Sequence, residues 1–193
     1  MKTIEERLDI LEEKMRAESF RTNKGLGNEV GYYVFDYESN QELIVRKRIQ
    51  DLQNTNTELK FGYELKVFDL YELILQLLAE EGSLDELVEL EEEEGTEYVF
   101  DAITETLKFD EKDSLIVNYI KDNTPQDAVV FLTGVGKCFP ILRSHKILNN
   151  LHQVMDHCPV ILFFPGVYTG NTLNVFGKLK DDNYYRAFPL VER

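Results

Sequence analysis

Apolar positions along the chain change their period several times, and each change marks an element. Ile4, Leu8, Leu11 and Met15 recur at helical spacing with charges between them, so residues 4–18 read as an amphipathic helix with a narrow apolar stripe. Residues 19–30 hold Gly25 and Gly27 and few apolar groups, and read as a loop. Tyr32 to Tyr37 is a β-rich run between Gly31 and Glu38-Ser39-Asn40, the pattern of a buried strand. Ser39 or Asn40 stands where a helix cap is expected. The helix behind it runs over about residues 41–53, with Leu43, Ile44, Lys47, Ile49 and Leu52 on a partly buried face, and Asn54-Thr55-Asn56-Thr57 breaks it. A second strand is expected from Tyr63 to Phe68. Asp69 then caps an apolar helix through Ala79, Gly82-Ser83 opens another that runs to Glu94, and residues 97–107 and 112–121 read as two more.

Asn123-Thr124-Pro125 is a stop, and Ala128 to Leu132 is a continuous apolar run of strand length. Such a run fits a strand covered on both faces, as in a parallel sheet. It ends in Thr133-Gly134-Val135-Gly136, and a helix is expected over about Ile141 to Val154. Pro159 to Phe164 reads as the next buried strand, ending in Pro165-Gly166, and short strands at Leu173–Phe176 and Tyr184–Phe188 follow. Alternating strands and helices predict an α/β fold of three layers, a mostly parallel sheet with helices on both faces. At 193 residues the chain is read as a single domain, with residues 1–30 as N-terminal helix and loop and 31–193 as the core.

Charge sharpens the picture. The net charge is −15. From Glu80 to Asp113 fifteen Asp/Glu face two Lys, a local −13, whereas from Lys137 to Arg193 seven Lys/Arg face four Asp/Glu, a local +3. Coating a nucleic-acid backbone needs clustered Lys and Arg, so direct nucleic-acid binding is not expected. The acidic stretch fits either a solvated face or a surface for a basic protein partner. No apolar run is long enough to cross a membrane. The charged N-terminus lacks the apolar core of a secretory signal. Two cysteines without a disulfide framework fit a reducing cytoplasm.

The chemistry is marked first by an absence. A nucleotide-binding α/β domain follows its first strand with a glycine-rich phosphate loop. Here the segment Asp36-Tyr37-Glu38-Ser39-Asn40-Gln41-Glu42 holds no glycine or lysine, and its carboxylates repel phosphate. The expected fold is therefore P-loop- or Rossmann-like without a functional phosphate-binding loop. Thr133-Gly134-Val135-Gly136-Lys137 lies at the carboxyl end of a strand, where open α/β sheets hold ligands. It allows an anion site with Lys137 and Arg143, or a structural turn. Ser144 and His145 are adjacent, which does not aim them at each other on a helix. Cys138, His145, His152, His157 and Cys158 match no zinc-ligand spacing, and Asp181-Asp182 in a turn fits solvent better than a cation. No catalytic residue, metal or cofactor is assigned.

Several of these segments together resemble one family. They are Phe131 to Gly136, Phe139-Pro140, Arg143-Ser144-His145, Leu148 to Leu151, Pro159 to Tyr168 and Phe176 to Phe188, in order over most of residues 128–190. In these the chain resembles the BrxB family of the BREX bacteriophage-defence systems, which mark host DNA by methylation and block phage replication. The resemblance implies a cytoplasmic, non-catalytic component that acts by contacts with other BREX proteins. The phosphatase-like PglZ component comes first, then the methyltransferase and ATPase components. The expected contact surface joins the loops after the 128–132 and 160–164 strands to the segment Lys178–Arg186. Its residues are Lys137, Arg143, His145, Tyr168, Lys180, Asp182, Tyr184, Tyr185 and Arg186, a set rich in interface-type side chains. The alternative is a nucleotide- or phosphate-binding domain using the Gly134–Lys137 loop. The amphipathic N-terminus leaves a homo-oligomer open.

Overall fold

The computed structural model describes residues 2–21, 31–55, 61–109, 111, 113–142, 144–169, 173–176, 179–181 and 187–193, with the backbone alone at 144, 145, 173–175 and 179–181. Its strands are β1 (Tyr32–Tyr37), β2 (Glu64–Asp69), β3 (Ala128–Thr133), β4 (Val160–Tyr168), β5 (Leu173–Val175), β6 (Leu179–Asp181) and β7 (Phe188–Pro189). Its helices are α1 (Ile4–Arg16), α2 (Glu18–Arg21), α3 (Glu42–Thr55), α4 (Leu70–Glu80), α5 (Leu84–Glu94), α6 (Thr96–Thr106), α7 (Leu115–Asp122), α8 (Val135–Cys138) and α9 (Ser144–Val154). The main sheet runs β2-β3-β4-β1-β7, and every pair along it is parallel.

The continuous apolar strands are buried on both faces because successive side chains point to opposite sides. Tyr32 and Val34 of β1, Val130 and Leu132 of β3, and Val160, Leu162 and Phe164 of β4 enter one core. The inward faces of α4, α7 and α9 close it with Leu70, Leu73, Ile74, Leu78, Ile116, Val117, Ile120, Ile147, Leu148 and Leu151. The alternate residues Tyr33, Phe35, Val129, Phe131, Ile161 and Phe163 enter a second core under α1 and α3. Phe163 anchors that side, with ring centroids 4.7 Å from Phe131 and 5.5 Å from Phe35. The expected three-layer α/β fold is thus what forms.

Three expectations are corrected by geometry. Leu43 and Ile44 face out, 75% and 42% exposed, and Val45, Ile49 and Leu52 form the buried stripe of α3. A turn of 3-10 helix, Ser39–Gln41, precedes α3 and sets its phase, and Gln41 accepts from the Glu38 N–H where a Ser39 or Asn40 cap was expected. Strand β4 does not end at Pro165-Gly166 but continues to Tyr168. The Val160 N–H donates toward β1, to Gly31. Alternation then turns position 165 away from β1, so the missing N–H of Pro165 takes no bond from the β1–β4 ladder. The expected Tyr184–Phe188 strand is observed only as Phe188–Pro189, because 182–186 lie outside the described residues. The expected strand at Leu173–Phe176 forms as β5, and with the additional strand β6 it makes an antiparallel hairpin that extends β4.

A buried ion pair sits inside this frame. Asp36, in central β1, is 7% exposed. Its Oδ1 accepts from Arg7 Nη2 at 2.8 Å, and its Oδ2 accepts from Arg193 Nε at 2.8 Å and from the Tyr168 N–H at 3.1 Å. Arg7, 4% exposed, also donates to the carbonyls of Asp36 and Val191, and its guanidinium lies 4.8 Å from the Phe35 ring centroid. Asp36→Ala leaves two guanidinium groups without their shared anion and is expected to lower the unfolding free energy by about 3–5 kcal/mol in a urea titration. Lys47→Ala, which breaks an exposed pair with Asp51, should cost no more than about 1 kcal/mol. Equal effects from the two changes would contradict the assignment.

Candidate functional site

The connections decide where a site can form. Helix α3, leaving β1, packs on one face of the sheet, while α4 and α9, leaving β2 and β3, pack on the other. Open α/β sheets leave a crevice at the carboxyl ends of strands where connections part in this way. The crevice here is a cleft of about 540 Å³. Val45, Ile49, Val67 and Phe163 give it an apolar floor, and Tyr37, Glu42, Arg46, Asp69 and Thr133 a polar wall. That volume is in the range of small-molecule sites.

The polar groups of this edge are mostly engaged with one another. At the exit of β1 the Tyr37 hydroxyl donates to the Glu42 carboxylate, which also accepts from Arg46 Nη2 at 2.9 Å. Burial, reinforced by the Glu42 hydrogen bond, pushes the Tyr37 phenol well above its usual range, so it stays a proton donor. At the exit of β2, Asp69 Oδ1 accepts from the N–H groups of Tyr71 and Glu72 at 3.1 and 3.3 Å, the expected cap of α4. Its Oδ2 lies 2.8 Å from Lys137 Nζ, which also reaches Glu72 Oε1 at 3.2 Å and stands 5.2 Å from the Tyr71 ring centroid. Burial alone would lower the Lys137 pKa, but the bonds to Asp69 and Glu72 outweigh it and hold the ammonium above its ordinary value.

The glycines of the 134–137 turn serve close packing. Gly134 takes a left-handed φ of 76°, and a Cβ there would overlap the Asp69 carboxylate. A Cβ on Gly136 would meet Pro165 and Phe176 at 3.2 and 3.4 Å. The turn that could have cradled an anion therefore presses against a carboxylate, and its lysine is already paired. At this turn the Lys137 ammonium and the first N–H groups of α4 are taken by Asp69 and Glu72, which leaves the turn itself a poor phosphate cradle.

The expected contact residues are placed as follows. Lys137 is at this edge, bound to Asp69 and Glu72. His145 is in the first turn of α9, and Lys180 is on β6 opposite Asn174. Tyr168 is not a surface group: it is 8% exposed, and its hydroxyl donates to the Ala187 carbonyl at 2.6 Å. Arg143, Asp182, Tyr184, Tyr185 and Arg186 lie outside the described residues. The structure brings Gly136 against Pro165 and Phe176. It adds Phe139 and Phe176, 40% and 42% exposed, which the sequence reading did not single out as contact groups. Their exposure beside polar loops is the signal, and it needs three dimensions to be seen.

The cysteines are interior packing groups. Cys138 and Cys158 are both fully buried, and burial pushes each thiol up to about 12. His152 stacks against Tyr32 with centroids 5.1 Å apart. Among the described residues no three His, Cys, Asp or Glu side chains are grouped to hold a metal.

Two predictions follow from this geometry. Gly134→Ala should destabilise the protein by about 1–3 kcal/mol, read as a lowered urea midpoint, because it adds backbone strain and displaces the α4 cap. An unchanged midpoint would contradict the close approach to Asp69. With thiols held protonated, the native protein at pH 8 should react with a thiol reagent only as fast as it unfolds, and both cysteines should react at once in denaturant. Rapid labelling of either cysteine in the native state would contradict its burial.

Comparison with known proteins now bears on identity. A family model described as "BREX protein BrxB" matches residues 66–190. A curated "BREX protein BrxB" of Bacillus cereus (strain H3081.97) is 45% identical over 193 residues, covering 100% of both chains. Another "BREX protein BrxB", of Escherichia coli O9:H4 (strain HS), is 31% identical over 188 residues, covering 97% of this chain and 92% of the relative. No solved structure matches. Among the described residues no helix is long and apolar enough to cross a membrane. A match over more than half the chain, together with relatives alike over nearly their full length, places this protein in the BrxB family of BREX system components.

Proposed function

We propose that the protein acts in antiphage defence as a non-catalytic, cytoplasmic interaction component that docks other BREX proteins, with the PglZ component as the first partner to test. The observation that carries this reading is the state of the carboxyl edge. The place where an α/β domain of this layering would hold phosphate has a carboxylate-bearing turn after β1 and a lysine bonded to Asp69 and Glu72. Beside it, Phe139 and Phe176 offer exposed aromatic surface, the kind of group that anchors protein contacts. The contact surface comprises the loops after β3 and β4 and the segment 178–186.

The cleft of about 540 Å³ supports a second reading, a small-molecule site at the same edge. Thermal denaturation separates the two. A ligand at 100 times its dissociation constant stabilises by about 2.7 kcal/mol. No shift is expected with nucleoside mono-, di- or triphosphates, with or without magnesium, and a clear shift would favour the ligand reading. For the docking surface, Arg143→Glu and Tyr185→Ala are each expected to reduce complex formation and phage resistance in cells carrying the operon. Wild-type complex formation and resistance in both variants would show that the surface is wrong.

A further inference from the structure

Helices α5 and α6 form an arm with a broad exposed face. Leu87 on α5 and Ile103 on α6 are buried, and Val99 and Ala102 pack partly buried against the same core. Leu84 and Val88, one turn apart on α5, are 37% and 59% exposed, and Tyr98 on α6 is 56% exposed. Helical spacing places Asp85, Glu91 and Glu92 around the Leu84–Val88 stripe, and Asp101 and Glu105 beside Tyr98. All five carboxylates are exposed. Residues 84–106 contain ten Asp/Glu and no Lys or Arg.

Several acids outside the arm are paired with cations. Glu42 pairs with Arg46, Asp51 with Lys47, Asp9 and Glu12 with Arg48, and Asp113 with Lys108. Among the described residues no carboxylate of the arm is in a salt bridge. The arrangement also opposes helix stability. Glu91 to Glu94 occupy the last turn of α5, where the macrodipole favours cations, and no basic residue stands there. Asp85 with Glu89, and Glu89 with Glu93, put like charges four residues apart. Exposed apolar groups, uncompensated charge and a helix end of the wrong sign are all relieved by one kind of occupant.

We propose that the α5–α6 arm is a docking surface for a Lys/Arg-rich protein face, with Leu84, Val88 and Tyr98 as apolar anchors inside a carboxylate surround. Phosphate would be repelled, which excludes nucleic acid as the occupant. The same charge on a second copy's arm disfavours arm-to-arm pairing. The inference rests on the interaction reading above and adds the surface and the chemistry of the partner. A groove of about 320 Å³, lined by Phe100, Asp101 and Thr104 of α6 and by Pro140, Ile141, Leu142 and Lys146, makes the arm continuous with the carboxyl edge.

The test is affinity isolation of the full-length tagged chain from cells carrying the complete operon, with nuclease present. Three forms are compared: the unaltered chain, Val88→Ala with Tyr98→Ala, and Glu91→Lys with Glu92→Lys. The lysine pair gives up the Thr96–Glu91 hydrogen bond but places cations at the C-terminal end of α5, and its thermal midpoint is measured beside recovery, so that a loss of recovery with an unlowered midpoint is a loss of binding and not of folding. Each pair is expected to cut recovery of an operon protein by about tenfold or more. Recovery by the unaltered chain should fall steeply between about 50 and about 300 mM salt. Undiminished recovery in either variant, or recovery that salt does not weaken, overturns the arm and leaves the adaptor reading standing. If the unaltered chain recovers an operon protein only without nuclease, the arm is overturned. If it recovers none at all, both readings fall.

Discussion

A carboxylate in the middle of a parallel sheet must find cations, and the way Asp36 does so organises the rest of this fold. Its two oxygens are shared between Arg7 of α1, Arg193 and the backbone N–H of Tyr168 at the end of β4. Arg7 also holds the Val191 carbonyl, and Lys14, further along α1, holds that of Leu190. Chain segments more than 180 residues apart in sequence are thereby tied to one strand. A pair this deeply buried adds little net stability over an apolar replacement, because desolvation offsets its attraction. What it supplies is position. With Arg7 bound, the stripe Ile4, Leu8, Leu11, Met15 can lie only against the second core, and β4 must run on past Pro165 to bring Tyr168 to Asp36.

That extension of β4 shapes the carboxyl edge. It carries Pro165 against Gly136 and provides the strand on which the β5–β6 hairpin pairs. On the other side of the edge, Asp69 caps α4 and receives Lys137, with Gly134 making room. The edge keeps the layering of a nucleotide-binding domain while its charges are spent on each other. The densest run of carboxylates without a salt bridge lies instead on α5 and α6. This division is what favours contact with proteins over phosphate chemistry as the working hypothesis.

Much of the fold is legible from sequence because the signals are local. The six residues of β1 and the apolar runs of β3 and β4 are continuous and flanked by turn formers, and Asp69 followed by an apolar helix is a cap by itself. Misreadings arise where a long-range partner decides. Leu43 and Ile44 look as buriable as Val45, and only the 3-10 turn before α3 fixes which of them faces Phe163 and its neighbours. Pro165-Gly166 looks like a strand end, and only pairing with β1 through Pro165 and with β5 beyond it carries the strand on. The Gly134–Lys137 turn admits an anion until Asp69, 68 residues earlier, is seen beneath it. Tyr168 looks like an interface aromatic until its hydroxyl is found on Ala187. Asp36 carries no mark in the sequence to separate it from the surface acids around it.

The central claim, that this BrxB-family protein works by binding other BREX proteins and not by handling a small ligand, is tested most directly by native mass spectrometry. The sample is the tagged, unaltered chain isolated at low salt from cells that carry the whole operon. The account predicts a species of defined stoichiometry in which the chain is joined to at least one other BREX protein, with no nucleotide mass on the chain itself. A chain that appears alone, or that carries a bound nucleotide, would contradict it.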